Sequence, residues 1–295
     1  MLDFAFALRP DPRLKGSCIQ VRSQLSVSSH HDVCADFLLR LKTATTRALL
    51  LDYDGTLAPF TPDRERAFPY PEIPELVSKI IRTGTRVVLI SGRPATEVLF
   101  LSGIRPQPDI WGSHGRERLQ ADGSYEVDPP SPEHQVALRT TAQSLHALGL
   151  SSQMEIKAGG IALHWRGLPF EQREPIEAKV RSLFGSAAKE HGLHVLPFDG
   201  GLELRVPGKN KGDAVSTILA EAGSGVAAAY LGDDQTDENA FRAIKGRGIA
   251  ILVRPEPRPS VADIWLRPPE ELSQFLHEWL KACGAEDEAA GRPSD

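Results

Sequence analysis

Apolar runs that end in a glycine or an acidic residue recur along the chain, and they restrict its fold more than any other feature. The runs are RALLLDYDG (47–55), RVVLISGRP (86–94), VAAAYLGDD (226–234) and GIAILV (248–253). Helical patterns such as PELVSKIIRTG and KGDAVSTILAEAG stand between them. Strands that are apolar on both faces and alternate with helices are typical of a parallel sheet covered by helices on both sides. We therefore predict an α/β fold with a doubly wound, Rossmann-like parallel core sheet.

The middle of the chain shows a different pattern. Short alternating runs such as MEIKAG and GIALHWRG, separated by helical stretches, predict antiparallel strands. We interpret this part as a smaller α+β cap, or lid, domain inserted into the core. The predicted boundaries are a poorly ordered extension at 1–30, the core at 31–115 and 201–283, the cap at 116–200, and a disordered acidic tail at 284–295.

Composition and charge exclude several classes of protein. The 295 residues carry a net charge of −5 and no basic run, which disfavours a nucleic-acid partner. The sequence has no apolar run long enough for a membrane span and no signal-peptide pattern, so we predict no membrane association. Three cysteines, Cys18, Cys34 and Cys283, are far apart and odd in number, which excludes a disulfide framework or a zinc knuckle. We therefore predict a cytoplasmic location.

Polar side chains follow four of the predicted core elements, at the edge where the carboxyl ends of parallel strands meet. They are Asp52, Asp54, Ser91, Lys211, Asp233, Asp234 and Asp237. Carboxylates that are buried together need a positive partner. Oxygen ligands supplied by a few carboxylates, water and a substrate phosphate are what Mg²⁺ prefers. The sequence therefore predicts a magnesium site, assisted by Lys211, that receives an anionic substrate.

Two other interpretations of the phosphate and metal motifs fail on spacing. A calcium loop needs glycine at its sixth position, whereas DYDGT has Gly55 at the fourth. A P-loop needs a glycine five positions before the glycine of GK and a hydroxyl after the lysine. The segment GKNKG has neither, since an asparagine follows Lys209.

The motifs DYDGT, SGR, the lysine of NKGDA, and GDDQTDENAF, in this order, resemble the haloacid dehalogenase-like phosphohydrolase superfamily. Longer stretches narrow the likeness: LLLDYDGTLAPF, GSHG, MEIKAGGIALHWR and LELRV are similar to the trehalose-6-phosphate phosphatase family. The resemblance extends over roughly residues 46–282. It implies a Mg²⁺-dependent phosphatase that converts trehalose 6-phosphate to trehalose and phosphate through an aspartyl-phosphate intermediate.

The resemblance also implies roles for the core residues. Asp52 would be the nucleophile, and Asp54, two residues on and on the same strand face, the general acid and base. Ser91 and Lys211 would hold the phosphoryl oxygens. The metal ligands would be Asp52, the backbone carbonyl of Asp54, and Asp233. The remaining core assignments are Asp234 and Asp237 next to the metal shell, Gly55 for the tight turn beside the substrate, and Arg93 for substrate binding.

Further substrate contacts are expected from the cap, whose closure over the sugar would exclude water. The residues that match the cap and edge motifs are Glu155, Lys157, His164, Arg166, Glu203 and Arg205. Paired donors and acceptors of this kind suit a disaccharide with many hydroxyl groups.

Several alternatives stay open at this stage. Lys209 competes with Lys211 for the phosphate, Asp234 and Asp237 are also suitable helix caps, and the charged cap residues also suit a solvated strand face. Sucrose, glucosylglycerol or mannosylglycerate phosphate are alternative substrates on the same core. A phosphoryl-transferring mutase and a non-catalytic sugar-phosphate sensor are further alternatives, although a sensor is expected to have lost Asp52 or Asp54. We expect a monomer and a functional pairing with a separate trehalose-phosphate synthase.

Overall fold

A computed structural model describes residues 27–61, 63–198 and 200–285. The strands are β1 (Arg47–Leu51), β2 (Arg86–Ile90), β3 (Asp109–Gly112), β4 (Glu117–Leu119), β5 (Tyr125–Val127), β6 (Met154–Lys157), β7 (Gly160–His164), β8 (His194–Phe198), β9 (Gly201–Arg205), β10 (Ala227–Gly232), β11 (Gly248–Val253) and β12 (Ile264–Leu266). The α-helices are α1 (Val27–Thr43), α2 (Ile73–Arg82), α3 (Ala95–Ser102), α4 (Pro132–Ala147), α5 (Phe170–His191), α6 (Lys211–Ala222), α7 (Glu238–Ile244) and α8 (Glu270–Ala282). None of the helices in these ranges is long and apolar enough to cross a bilayer.

The larger sheet has eight strands in the order β12-β11-β10-β1-β2-β3-β4-β5. Neighbours from β12 to β3 pair in parallel, and β4 and β5 add an antiparallel edge. Successive residues of β1 enter opposite apolar clusters: Leu51 lies in the cluster that contains Trp279, and Leu50 in the cluster that contains Phe241. Both faces of the strand are therefore buried, which explains its uninterrupted apolar sequence. The predicted α/β fold class is confirmed.

The smaller sheet has four antiparallel strands in the order β6-β7-β9-β8. Helices α4 and α5 pack on it, and side chains such as Leu163, Phe184 and Leu204 form a third apolar cluster there. We call β6 to β9 together with α4 and α5 the inserted unit. It leaves the core after β5 and returns to the core before α6.

The predicted limits of the insertion, 116 and 200, differ from the structure at both ends. Strands β4 and β5 belong to the core sheet, where Arg118 is in register with Trp111 of β3. Strand β9, which was assigned to the second half of the core, pairs with β7 and β8 in the inserted unit. Short alternating strands have the same sequence pattern in either sheet, and their pairing depends on contacts distant in sequence.

The ends of the chain lie largely outside the described residues. Helix α1 begins at Val27, within the predicted 1–30 extension. The predictions for residues 1–26 and for the tail from 286 onward fall outside the described ranges.

Candidate active site

The carboxyl ends of β1 and β10 bring two acidic residues of the core together. The strands pair in parallel, and the backbone N–H of Asp52 donates to the carbonyl of Leu231, with N and O 2.9 Å apart. Asp52 and Asp233 therefore follow neighbouring strands at the same edge, and both are buried. Carboxylate oxygens of Asp52, Asp233 and Asp237 lie within 4.8 Å of one another.

Lys211 is the cation that meets these carboxylates. It is the first residue of α6, whose start is fixed by a capping box on Asn210. Its Nζ lies 2.5 Å from Asp52 Oδ1 and 2.7 Å from Asp237 Oδ1. The competing candidate, Lys209, instead lies 3.5 Å from Asp128. The structure therefore places Lys211, and not Lys209, beside the predicted nucleophile.

Asp237 orients its neighbours. Its Oδ1 accepts hydrogen bonds from Lys211 and from the hydroxyl of Tyr230, the latter at 2.5 Å. Its Oδ2 accepts from the backbone N–H groups of Asp233 and Asp234. Both oxygens of this fully buried carboxylate thus already have two partners. Asp234 also forms a capping box with Asp237 at the start of the 3₁₀ turn Gln235–Asp237, so the capping interpretation applies to both residues.

Three carboxylates share one ammonium group at this edge. Burial and the Asp237 carboxylate raise the pKa of Asp52 to about 7, although Lys211 opposes the shift. Burial and the Asp52 carboxylate hold the pKa of Asp233 well above its usual range. Burial alone would lower the pKa of Lys211, but the neighbouring carboxylates raise it. One ammonium group for three carboxylates leaves negative charge uncompensated, and a donor set made only of oxygens suits a hard divalent cation.

The tight turn after Asp52 depends on glycine. Gly55 has a φ of +82°, and a Cβ built there would lie 2.3 Å from Oδ2 of Asp233. Only a residue without a side chain lets the turn pass so close to the second acidic strand end.

Asp54 has a different environment from Asp52. The Arg93 guanidinium donates to its carboxylate from Nε to Oδ2 and from Nη2 to Oδ1, each at 2.7 Å. The predicted metal contact of Asp54 uses its backbone carbonyl and stays a prediction. Ser91 is buried, and its Oγ accepts a hydrogen bond from the backbone N–H of Arg93.

One cavity joins the core site to the inserted unit. Among the predicted residues, it is lined by Asp52, Asp54, Ser91, Arg93, Glu155, Lys157, His164, Arg166, Glu203, Lys211, Asp233 and Asp234. Arg205 does not line it, although its charge acts on Glu203 and His114, which do. The substrate contact predicted for Arg205 stays a prediction. Gly55 lines a neighbouring cavity, which shares Phe60, Asp233 and Asp234 with the first.

The carboxylates of the inserted unit are ionised partners of basic groups. Burial would raise the pKa of Glu155, but Lys157, His164 and Arg64 lower it to about 2. Burial likewise opposes ionisation of Glu203, yet Lys157 and other basic neighbours hold its pKa far below the usual range. Glu155, Lys157 and Glu203 are therefore a buried charge network facing the cavity, unlike a solvated strand face.

Six further residues line the same cavity and are not among the predicted site residues: Phe60, Arg64, Gly92, His114, Phe198 and Thr236. His114 follows Ser113, and both have positive φ values of 56° and 48°. Its Nε2 lies 3.3 Å from Oε2 of Glu203, and burial lowers its pKa. Strained backbone of this kind is common at functional sites. The glycines on either side of the SH pair in GSHG were the available signal in the sequence.

Comparison with solved structures defines the class of protein. A Candida albicans structure described as the C-terminal domain of a trehalose-6-phosphate phosphatase matches with a TM-score of 0.69 and 20% identity, over 86% of this chain and 97% of that chain. A haloacid dehalogenase-like hydrolase from B. subtilis matches with a TM-score of 0.55 and 14% identity, over 78% of this chain and 98% of that one. The fold is therefore that of the haloacid dehalogenase-like hydrolases.

Sequence comparison identifies the family within that class. The trehalose-phosphatase family model matches residues 50–265, so this chain belongs to the trehalose-phosphatase family of phosphoric monoester hydrolases. A Zea mays trehalose 6-phosphate phosphatase is 28% identical over 289 residues, 88% of this chain and 77% of that protein. A Mycobacterium leprae trehalose-phosphate phosphatase is 31% identical over 253 residues, 79% of this chain and 57% of that protein. The chain thus matches less than two thirds of the length of this mycobacterial relative.

Proposed function

We propose that this protein hydrolyses trehalose 6-phosphate to trehalose and inorganic phosphate with the help of Mg²⁺. Membership of the family and the names of its relatives support the substrate. The chemistry is supported above all by one observation, the buried Asp52 carboxylate held by Lys211 beside Asp233.

The proposed reaction begins with attack of an Asp52 carboxylate oxygen on phosphorus, which forms an aspartyl-phosphate and breaks the bond to the sugar oxygen. Asp54 gives its proton to the departing sugar oxygen. It then takes a proton from the water that attacks the phosphorus of the aspartyl-phosphate, releasing phosphate and restoring Asp52. Ser91 and Lys211 hold the phosphoryl oxygens through both steps.

Asp52, Asp233 and the backbone carbonyl of Asp54 are the proposed holders of Mg²⁺. When bound, the ion supplies positive charge that offsets the phosphoryl oxygens and the crowded carboxylates. Asp237, whose oxygens already have two partners each, acts by orienting Lys211.

The inserted unit is proposed to be the cap that recognises the sugar. Lys157, His164, Arg166 and Glu203 line the cavity from this unit and present donors and acceptors to the hydroxyl groups. A cytoplasmic location, a monomeric state and pairing with a separate synthase stay predictions from the sequence.

A panel of sugar phosphates tests this proposal by phosphate release, with Mg²⁺ and with a chelator. We expect trehalose 6-phosphate to have the highest kcat/KM and the chelator to abolish turnover until Mg²⁺ is restored. Preference for sucrose, glucosylglycerol or mannosylglycerate phosphate would overturn the substrate but keep the chemistry. An isomeric sugar phosphate as product would indicate a mutase.

The nucleophile is tested separately with Asp52→Asn. We expect turnover to fall by at least about 10³-fold, as for other enzymes that lose their nucleophile, while phosphate binding is retained. Unchanged turnover in this variant would exclude the covalent route. Binding of sugar phosphate without turnover by the unaltered chain would indicate a sensor.

A further inference from the structure

Arg64 lies where the core and the inserted unit meet. It begins the 3₁₀ turn Arg64–Arg66, in the core segment between β1 and α2. Its Nη2 donates to Oε2 of Glu97 on α3 at 2.7 Å, and the same nitrogen lies 2.8 Å from Oε1 of Glu155 on β6. One guanidinium nitrogen thus joins a carboxylate of the core to a carboxylate of the inserted unit.

The core carboxylate leads on to the proposed general acid. Arg93 Nη1 donates both to Oε1 of Glu97 and to the backbone carbonyl of Arg64, the latter at 2.9 Å. The other two donors of the same guanidinium hold Asp54. The charged groups therefore form a continuous series from the inserted unit to the reacting centre: Glu155, Arg64, Glu97, Arg93 and Asp54.

Arg64 is important to this series because Glu155 has few other partners on that side. The Glu155 side chain is 5% exposed, and its Oε1 has no hydrogen-bond partner among the described residues. The positive charge of Arg64 at 2.8 Å is what faces this oxygen. A buried carboxylate that loses such a partner is destabilised, so docking of the inserted unit onto the core depends on Arg64.

We propose that Arg64 is a positioning residue that couples docking of the inserted unit to the orientation of Asp54, a role that rests on the proposed function. Docking fixes Arg64 against Glu155, and its side chain and backbone then fix Glu97 and Arg93. A sugar phosphate spans both units and uses this coupling. A small phosphate ester reaches only the core and does not.

The experiment compares Arg64→Met with Arg66→Met on trehalose 6-phosphate and on p-nitrophenyl phosphate. Arg66 is the matched control because it is an exposed arginine of the same turn. For Arg64→Met we expect kcat on the sugar phosphate to fall about tenfold or more, since small displacements of catalytic groups are costly. Its KM, its turnover of the small ester and both activities of Arg66→Met stay within about twofold of the unaltered chain. Equal losses on both substrates, or no loss on either, would overturn the coupling.

A direct contact between Arg64 and the sugar is distinguished by a double-mutant cycle with Glu155→Gln. If Arg64 acts through Glu155, then Arg64→Met lowers kcat by less than about twofold in the Glu155→Gln background. The same loss in both backgrounds would mean that Arg64 acts by contacting the substrate or through Glu97 alone, without Glu155, and that the coupling is wrong.

Failure of the proposed substrate is recognised independently in the unaltered chain. If another sugar phosphate is preferred, the comparison is made with that compound and the coupling is judged on it. If no sugar phosphate is hydrolysed, both the function and the coupling are wrong.

Discussion

Replacement of Gly55 by alanine tests whether Asp233 stands where a metal ligand must. The added Cβ would lie 2.3 Å from Oδ2 of Asp233, whereas ordinary contacts begin at 3.4 Å, so this oxygen must retreat by about 1.1 Å. Bonds from Mg²⁺ to oxygen are about 2.0–2.1 Å and tolerate little variation. A displacement of half a bond length would weaken the hold of Asp233 on an ion bound there.

The expected result has two separate parts. A φ of +82° costs an alanine about 1–2 kcal/mol of folding free energy. The displaced carboxylate adds a functional loss of about 10²-fold in kcat, the scale of a 1 Å misplacement, together with a higher Mg²⁺ requirement. Gly84→Ala is the matched control because Gly84 has a φ of +81° and nothing within 4 Å of its Cβ position. The Gly84→Ala variant should lose the same free energy of unfolding but keep the kcat and the Mg²⁺ requirement of the unaltered chain.

Chemical denaturation measures the free energy of unfolding of both variants, and phosphate release against Mg²⁺ concentration measures their function. Loss of stability in both variants with loss of activity only in Gly55→Ala is the predicted outcome. A Gly55→Ala protein with unaltered turnover and Mg²⁺ requirement would show that Asp233 does not hold the ion.

Two further predictions concern buried polar groups. Tyr230→Phe removes a hydrogen bond to the Asp237 side chain and should lower the free energy of unfolding by about 2 kcal/mol in urea denaturation; an unchanged value would contradict the contact. The folded-state pKa of Glu155 is about 2, against an ordinary 4.5, because Lys157 and His164 outweigh the effect of burial. The contribution of the Glu155 carboxylate to the stability of the fold is therefore complete above about pH 4.5 and is lost as the pH falls toward 2. Between pH 6 and pH 3, Glu155→Gln should therefore lose about 2 kcal/mol less stability than the unaltered chain, and equal losses would contradict this.

The core of the fold could be predicted because the pattern that specifies each core strand lies within a few consecutive residues. Strands β1, β2, β10 and β11 of the parallel sheet are apolar on both faces. This pattern is visible within five or six consecutive residues of each strand. Because those strands are parallel, their carboxyl ends all lie at the same edge of the sheet. Asp52 and Asp233 were therefore placed together from sequence, and the structure has them in the same cluster.

The pairing of the short strands could not be predicted in the same way. Strand β9 alternates like a strand of either sheet, and only its register against His164 and Phe198 assigns it to the inserted unit. The position of Arg205 relative to the cavity has the same origin, because it depends on how far β9 runs beyond Glu203. The sequence pattern indicates on which face of the sheet a strand residue lies, but not where the cavity lies along the strand.

Arg64 belongs to a part of the site that no sequence pattern could have indicated. Its two partners, Glu97 and Glu155, lie on a core helix and on a strand of the inserted unit, far from it along the chain. No periodicity connects such positions, and an arginine in a turn rich in charged residues is ordinarily solvated. Its contact with Glu155 forms only after both units have folded and met. Side chains that join two folded units are thus the part of this site that is visible only in the folded structure. They are also the side chains through which the state of one unit can affect chemistry in the other.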